Sequence, residues 1–175
     1  LAYAGIEIRY HDAVIAKAPQ GRTLAVHPHF DPNVAVLKLF PGITRGVVES
    51  ILSLPTLRGV VLETFGSGNA PMLPWFLDAL RATVARGVVI VNVTQCVTGY
   101  VDMMRYETGI LLQKIGVVSG RDATTEAVLT KLMYLLGQGF SSEEVGQLMA
   151  IPLRGEMSLD QEMEGFSRET SIYRR

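Results

Sequence analysis

The chain has 175 residues, and its 48% hydrophobic content supplies enough apolar surface for the core of one domain. Lys and Arg number 16 against 17 Asp and Glu, which excludes the one-signed field that recruits a phosphate backbone or an anionic bilayer, so neither nucleic acid nor membrane is an expected partner. A single cysteine, Cys96, excludes an intramolecular disulfide framework and fits a reducing compartment, with the cytoplasm as the expected location.

Arg, Glu, Gly or Pro interrupts every apolar run before it reaches membrane-spanning length, and the first residues lack a signal-peptide pattern. Residues 1–22 carry a short apolar/polar alternation around Gly5–Tyr10 and close on a Pro-Gln-Gly turn signal, which reads as a linker. TLAVHPHF (23–30) and NVAVLKLF (33–40) are strand-like runs separated by Asp31-Pro32. After Pro41-Gly42, the residues Ile43, Val47, Val48, Ile51 and Leu52 fall at helical spacing, with Thr44 as N-cap and Pro55 as stop.

GVVLETF (59–65) is a nearly continuous apolar run, the pattern of a parallel strand covered on both faces, and the loop GSGNAP (66–71) follows it. A helix is expected over about Pro74–Arg86, with Trp75, Leu77, Leu80 and Val84 facing the core and Gly87 at its C-terminal end. GVVIVNVT (87–94) is the next buried strand. Tyr106–Ile115 predicts a helix, Val117-Val118 a short strand, and Thr124–Leu136 a helix whose apolar face carries Ala127, Leu129, Leu132, Met133 and Leu136. Ser141 and Glu144 form a capping box for a last helix ending near Ala150. Strands alternating with helices predict an α/β fold, a three-layer Rossmann-like domain with a mainly parallel sheet flanked by helices. Part of the charged and polar segment beyond Pro152 is expected to pack loosely or be disordered.

Ligands of open parallel sheets bind beyond the carboxyl ends of the strands, which directs attention to the loops after 59–65 and 87–94. In the first, two glycines permit close backbone approach beside Asn69, whose amide both donates and accepts; a simple tight turn explains the same residues. The second offers Asn92, Thr94, Gln95 and Cys96. No histidine stands near Cys96 in sequence, so an inert, buried small hydrophobe is preferred to a nucleophile. His27 and His29 alternate along an extended run but lack further ligands at metal-site spacing, so they read as surface or capping residues, and His11 has no partner pattern. Glu107 and Asp122 precede or open helices, where a carboxylate complements the N-terminal dipole. Arg154 and Glu156 read as an exposed ion pair. The residues alone thus supply no catalytic constellation, no metal cluster and no cofactor motif; they describe a binding or accessory domain.

The series GVVLETFGSGNAP (59–71), RGVVIVNVTQCVTGYVDMMRYETG (86–109), GVVSGRDATTEAVLTKLMYLLGQ (116–138) and LRGEM (153–157), with FDPNVAVLKLFPGI (30–43) before it, resembles the C-terminal domain of type I (cytoplasmic) L-asparaginases. The resemblance implies a linker over 1–22 from an N-terminal catalytic domain, the C-terminal α/β domain over 23–156 and a polar tail over 157–175. It implies hydrolysis of L-asparagine by the whole protein, with the catalytic threonines on the other domain, none on this chain, and no cofactor or metal. Its partners would be L-asparagine and a second copy, as a homodimer or dimer of dimers.

By the same resemblance Asn69 reaches toward a neighbour's substrate and Glu107 supplies an acidic contact. Cys96 lies in a loop near a regulatory asparagine site of some members. Glu63 stands where those members carry an arginine, so asparagine activation is not expected here. The competing expectations are the related domain of a glutamyl-tRNA amidotransferase subunit and a non-catalytic small-molecule-binding domain.

Overall fold

A computed structural model describes residues 2–4, 6–10, 21, 23–97 and 99–158. A short antiparallel pair, β1 (Ala2–Ala4) and β2 (Ile8–Tyr10), lies in the segment expected to be a linker. His11 falls outside the described residues.

The domain itself is a four-stranded parallel sheet of β3 (Val34–Lys38), β4 (Gly59–Thr64), β5 (Val89–Thr94) and β6 (Val118–Ser119), in that spatial order. The helices are α1 (Arg45–Leu52), α2 (Pro74–Ala85), α3 (Glu107–Ile115), α4 (Thr125–Gly137) and α5 (Ser142–Met149). Each of the first three connects neighbouring strands. Right-handed crossovers that always step the same way leave their helices on one face, and α1, α2 and α3 do share a core: Val48, Leu52, Phe76, Leu80 and Leu112 pack with Val60, Leu62 and Ile90. The opposite face receives α4 and α5, whose Val128, Leu132, Leu135, Val145 and Met149 pack on Val61, Val89, Val91 and Val93. Strand residues alternate between the two cores because successive side chains leave opposite faces of a strand. Every residue of β4 is buried, which accounts for its near-continuous apolar sequence.

Local signals set the helix ends. Thr44 and Thr124 accept from the main-chain N–H groups of Val47 and Ala127, and the Ser141–Glu144 capping box closes reciprocally at the start of α5. Pro74 opens α2.

Several sequence expectations are corrected. Residues 23–30 form no strand: Pro28 lacks a donor, and the segment lies along the end of α4, with Asp31 N–H donating to Met133 O (2.9 Å) and Gln138 Nε2 to His29 O (2.8 Å). The core stripe of α2 centres on Phe76, Leu80 and Thr83, with Trp75, Leu77 and Val84 as partly buried flanks. That of α4 centres on Val128, Lys131, Leu132, Leu135 and Leu136, a stripe obscured in sequence by the lysine at its middle. Past Pro152, Met157 is buried and Ser158 N–H donates to Asp122 Oδ1 (2.7 Å), while the remainder of that segment, from 159 on, lies outside the described residues. Asp122 therefore serves the C-terminal segment, while Glu126 is the acidic residue in the first turn of α4. Burial by itself would raise the Asp122 carboxyl, but the bonds from Ser158 hold it below its ordinary range.

The Lys131 ammonium is buried and donates to Met149 O, the last residue of α5, and to Ile151 O. It pairs with Glu156 at 2.7 Å. Glu156 also accepts the N–H groups of Leu153 (2.9 Å) and Arg154 (2.7 Å), so it is a half-buried anchor for the end of the domain, where an exposed pair with Arg154 was expected. Burial lowers the Lys131 ammonium, partly opposed by Glu156. Burial tends to raise Glu156, yet the bonds from Lys131 and the two N–H groups outweigh it and hold the carboxyl below its ordinary range.

Among the described residues, no helix is long and apolar enough to cross a membrane.

Candidate functional site

At the carboxyl end of the sheet, the loop after β4 is built from underneath. Thr64, the last residue of β4, donates to the buried Asn92 Oδ1 (2.6 Å), and Asn92 Nδ2 donates to Gly68 O (3.0 Å). Thr94, the last residue of β5, donates to Gly66 O. Gly68 has φ +101, and a Cβ there would meet Val101 Cγ1 at 2.7 Å. Only glycine fits both the conformation and the space. Asp102 N–H donates to Ser67 O (3.1 Å), tying the later loop to the tip of this one.

Asn69 leaves this frame half-buried. Its main chain is held on both sides, N–H to Phe65 O (2.8 Å) and C=O from Phe65 N–H (2.9 Å). The Thr108 hydroxyl donates to Asn69 Oδ1 at 2.7 Å. Thr108 follows Glu107 in the first turn of α3, so the bond brings the start of α3, with the exposed Glu107, against the loop that carries Asn69. The two residues expected to contact substrate thus occupy one end of the sheet on neighbouring elements. Thr108, which brings them together, escaped the sequence reading because a threonine in a helix carries no signal of its own.

The other loop residues serve the frame. Gln95 Nε2 donates to Leu39 O (2.7 Å) and Glu63 O (3.0 Å), closing the ends of β3 and β4, while Asn92 and Thr94 hold the loop after β4. Cys96 is exposed, contrary to the buried role expected of it. Glu63 is buried at the end of β4, where its carboxylate meets Lys38 Nζ at 3.0 Å and the Thr125 hydroxyl at 2.7 Å. Its position beside the first turn of α4 is favourable for a negative charge.

His27 and His29 are exposed, and His27 lies edge-on to Tyr134. No group of three or more potential metal ligands exists among the described residues. One cavity of about 470 Å³ lies between His27, Phe30, Tyr134, Lys131 and Glu156, and another of about 990 Å³ between Tyr100, Asp102, Gln113 and Gln147; neither is lined by Asn69 or Glu107.

Fold and site define a class: a parallel α/β domain that presents a fixed carboxamide and a carboxylate at the carboxyl end of its sheet, with no complete nucleophile–base set among the described residues. Residues 33–149 match the Glutaminase/Asparaginase C-terminal domain model, and the chain belongs to that family. It is 43% identical over 160 residues to a 60 kDa lysophospholipase of Mus musculus, covering 91% of this chain and 28% of that protein. To L-asparaginase 1 of Escherichia coli (strain K12) it is 41% identical over 160 residues, covering 91% of this chain and 47% of the relative. The crystal structure of L-asparaginase I from Vibrio cholerae superposes with a TM-score of 0.81 at 43% identity, covering 91% and 48% of the two chains. The chain therefore spans half the length of these relatives or less.

Proposed function

We propose that this chain is the C-terminal domain of an enzyme that hydrolyses L-asparagine to L-aspartate and ammonia, and that it supplies substrate-side contacts and a subunit interface. The carrying observation is the carboxamide of Asn69, fixed by its main chain and by Thr108 at the end of the sheet where parallel α/β domains receive ligands. An amino-acid substrate offers a carboxylate and an ammonium. Asn69 suits the former and Glu107 the latter, which orients the side-chain amide for attack.

The attacking group comes from outside these residues. Near Asn69, the hydroxyls of Thr64, Thr94 and Thr108 all donate to carbonyl or amide oxygens rather than to a base. The division into a linker over 1–22, the domain over 23–156 and a tail over 157–175 belongs to the same proposal. So does assembly with a second copy. Phe65, Met72 and Leu73 are exposed beside the loop, as are Met104 and Tyr106 on the segment that Asp102 ties to it, and such clustered apolar exposure marks an interaction surface. Glu63, already engaged by Lys38 and Thr125, offers no cationic anchor for a regulatory asparagine, so the rate curve is hyperbolic; a sigmoidal curve overturns that point. A lone exposed cysteine fits a cytoplasmic setting.

The test is ammonia release from L-asparagine by the full-length protein and its Asn69→Ala variant. The expected result is a lower kcat/KM in the variant with an unchanged unfolding midpoint; equal kcat/KM removes Asn69 from the site. The identity to a lysophospholipase favours a second substrate class, acyl esters. Assaying a lysophospholipid beside L-asparagine separates the two, since turnover of the lipid alone sinks the amidohydrolase reading.

A further inference from the structure

The geometry points to Thr108 as a positioning residue that fixes which end of the Asn69 carboxamide faces the ligand, so that Asn69 donates to the substrate's carboxylate. The inference rests on the substrate role of Asn69 proposed above.

A carboxamide has two nearly equivalent orientations about its terminal torsion, which is broad and roughly two-fold. One presents the NH2 group outward and the other presents the oxygen, and the two recognise opposite partners. The main chain of Asn69 cannot decide between them, because its bonds to Phe65 fix only the backbone. Thr108 can. Its hydroxyl donates to Oδ1 at 2.7 Å, while Nδ2 makes no hydrogen bond among the described residues.

A hydroxyl alone could accept from Nδ2 instead, so a second influence is needed. Thr108 sits in the first turn of the nine-residue α3, where unpaired main-chain N–H groups create a positive end. The negative oxygen of the carboxamide is favoured toward that end, and the NH2 group is turned away from it. Two donors are thereby left for an acceptor on a ligand, as a carboxylate requires and an ammonium does not. Glu107, one residue earlier and exposed, remains for the ammonium.

Steady-state kinetics of the full-length protein test this with five variants. Thr108→Val keeps the shape of the side chain and removes the donor. It should raise KM for L-asparagine roughly two- to tenfold, the range of one net hydrogen bond, with kcat little changed. Thr108→Ser should restore KM. In an Asn69→Ala background Thr108→Val should add nothing, because its effect passes through the missing amide. Asn69→Asp should raise KM more than Asn69→Ala, since it sets a carboxylate against the substrate's own. If the valine variant does not fold, Thr108→Ala carries the same comparison.

An unchanged KM in Thr108→Val, or an additive effect in the double variant, overturns the role of Thr108 while leaving Asn69 in place. Asn69→Asp matching or surpassing the parent shows that residue 69 accepts from an ammonium, and the donor orientation falls. No effect of Asn69→Ala removes the site itself and this inference with it.

Discussion

Two polar networks lie at different places in the domain. The one beneath the loop after β4 is neutral: Thr64, Asn92 and Thr94 pass hydrogen bonds upward to Gly66 O and Gly68 O. The one beside α4 is charged: Lys131 and Glu156 meet each other and otherwise bond main-chain groups. The charged network fastens the 153–156 turn onto α4 and α5, whereas the neutral one shapes a loop in which Asn69 keeps donors unused among the described residues. Charge and burial alone would have directed attention to Lys131 and Glu156. What distinguishes the proposed site is the unused donor pair of Asn69 on a hydrogen-bonded frame, and an ion pair whose groups are shifted from their ordinary ranges can be wholly structural.

The two networks should separate stability from activity. Glu156→Ala should have the largest effect, about 3–5 kcal/mol in urea unfolding, because it strands the Lys131 ammonium in the interior. Folded full-length protein should keep its KM for L-asparagine; a KM change would mean that the charged network reaches the proposed site. Asn92→Ala comes next. It leaves Gly68 O short of a donor and Thr64 with only its longer bond to Val93 O (3.1 Å), costing about 1–3 kcal/mol, and in contrast it should also lower kcat/KM by releasing the loop.

Acid titration addresses the charged network alone. The Glu156 carboxyl is held below its ordinary range in the fold, so its contribution to stability is complete above that range and is lost as pH falls through the lowered value. Lys131→Met should flatten this limb of the stability curve, and an unaltered limb would assign it to other carboxylates. The smallest effect belongs to a position remote from both networks. Ser141→Ala removes the N-cap of α5 and should cost about 1 kcal/mol with kinetics unchanged.

The elements that were legible in the sequence are those whose cause is local or one-dimensional. β4 and β5 stand out because strands covered on both faces are apolar throughout, and α5 because a capping box is complete within four residues. Thr44 and Pro74 marked helix starts for the same reason. Sequence periodicity misjudged 23–30, where packing on α4 replaces strand pairing, and the inward face of α4, where Lys131 occupies a core position. The partner of Glu156 lies 25 residues away in sequence, and Thr108 lies 39 from Asn69. No spacing rule links such residues. The loop carrying Asn69 was recognised from its glycines, but not the bond that turns its amide.

The most direct measurement is a structure of the full-length protein with L-aspartate bound. Asn69 Nδ2 should lie within about 3 Å of an oxygen of the ligand's α-carboxylate, with the Thr108 hydroxyl still on Oδ1. A ligand bound with no contact to Asn69, or bonded through Oδ1 to its ammonium, would rule out the donor role of Asn69.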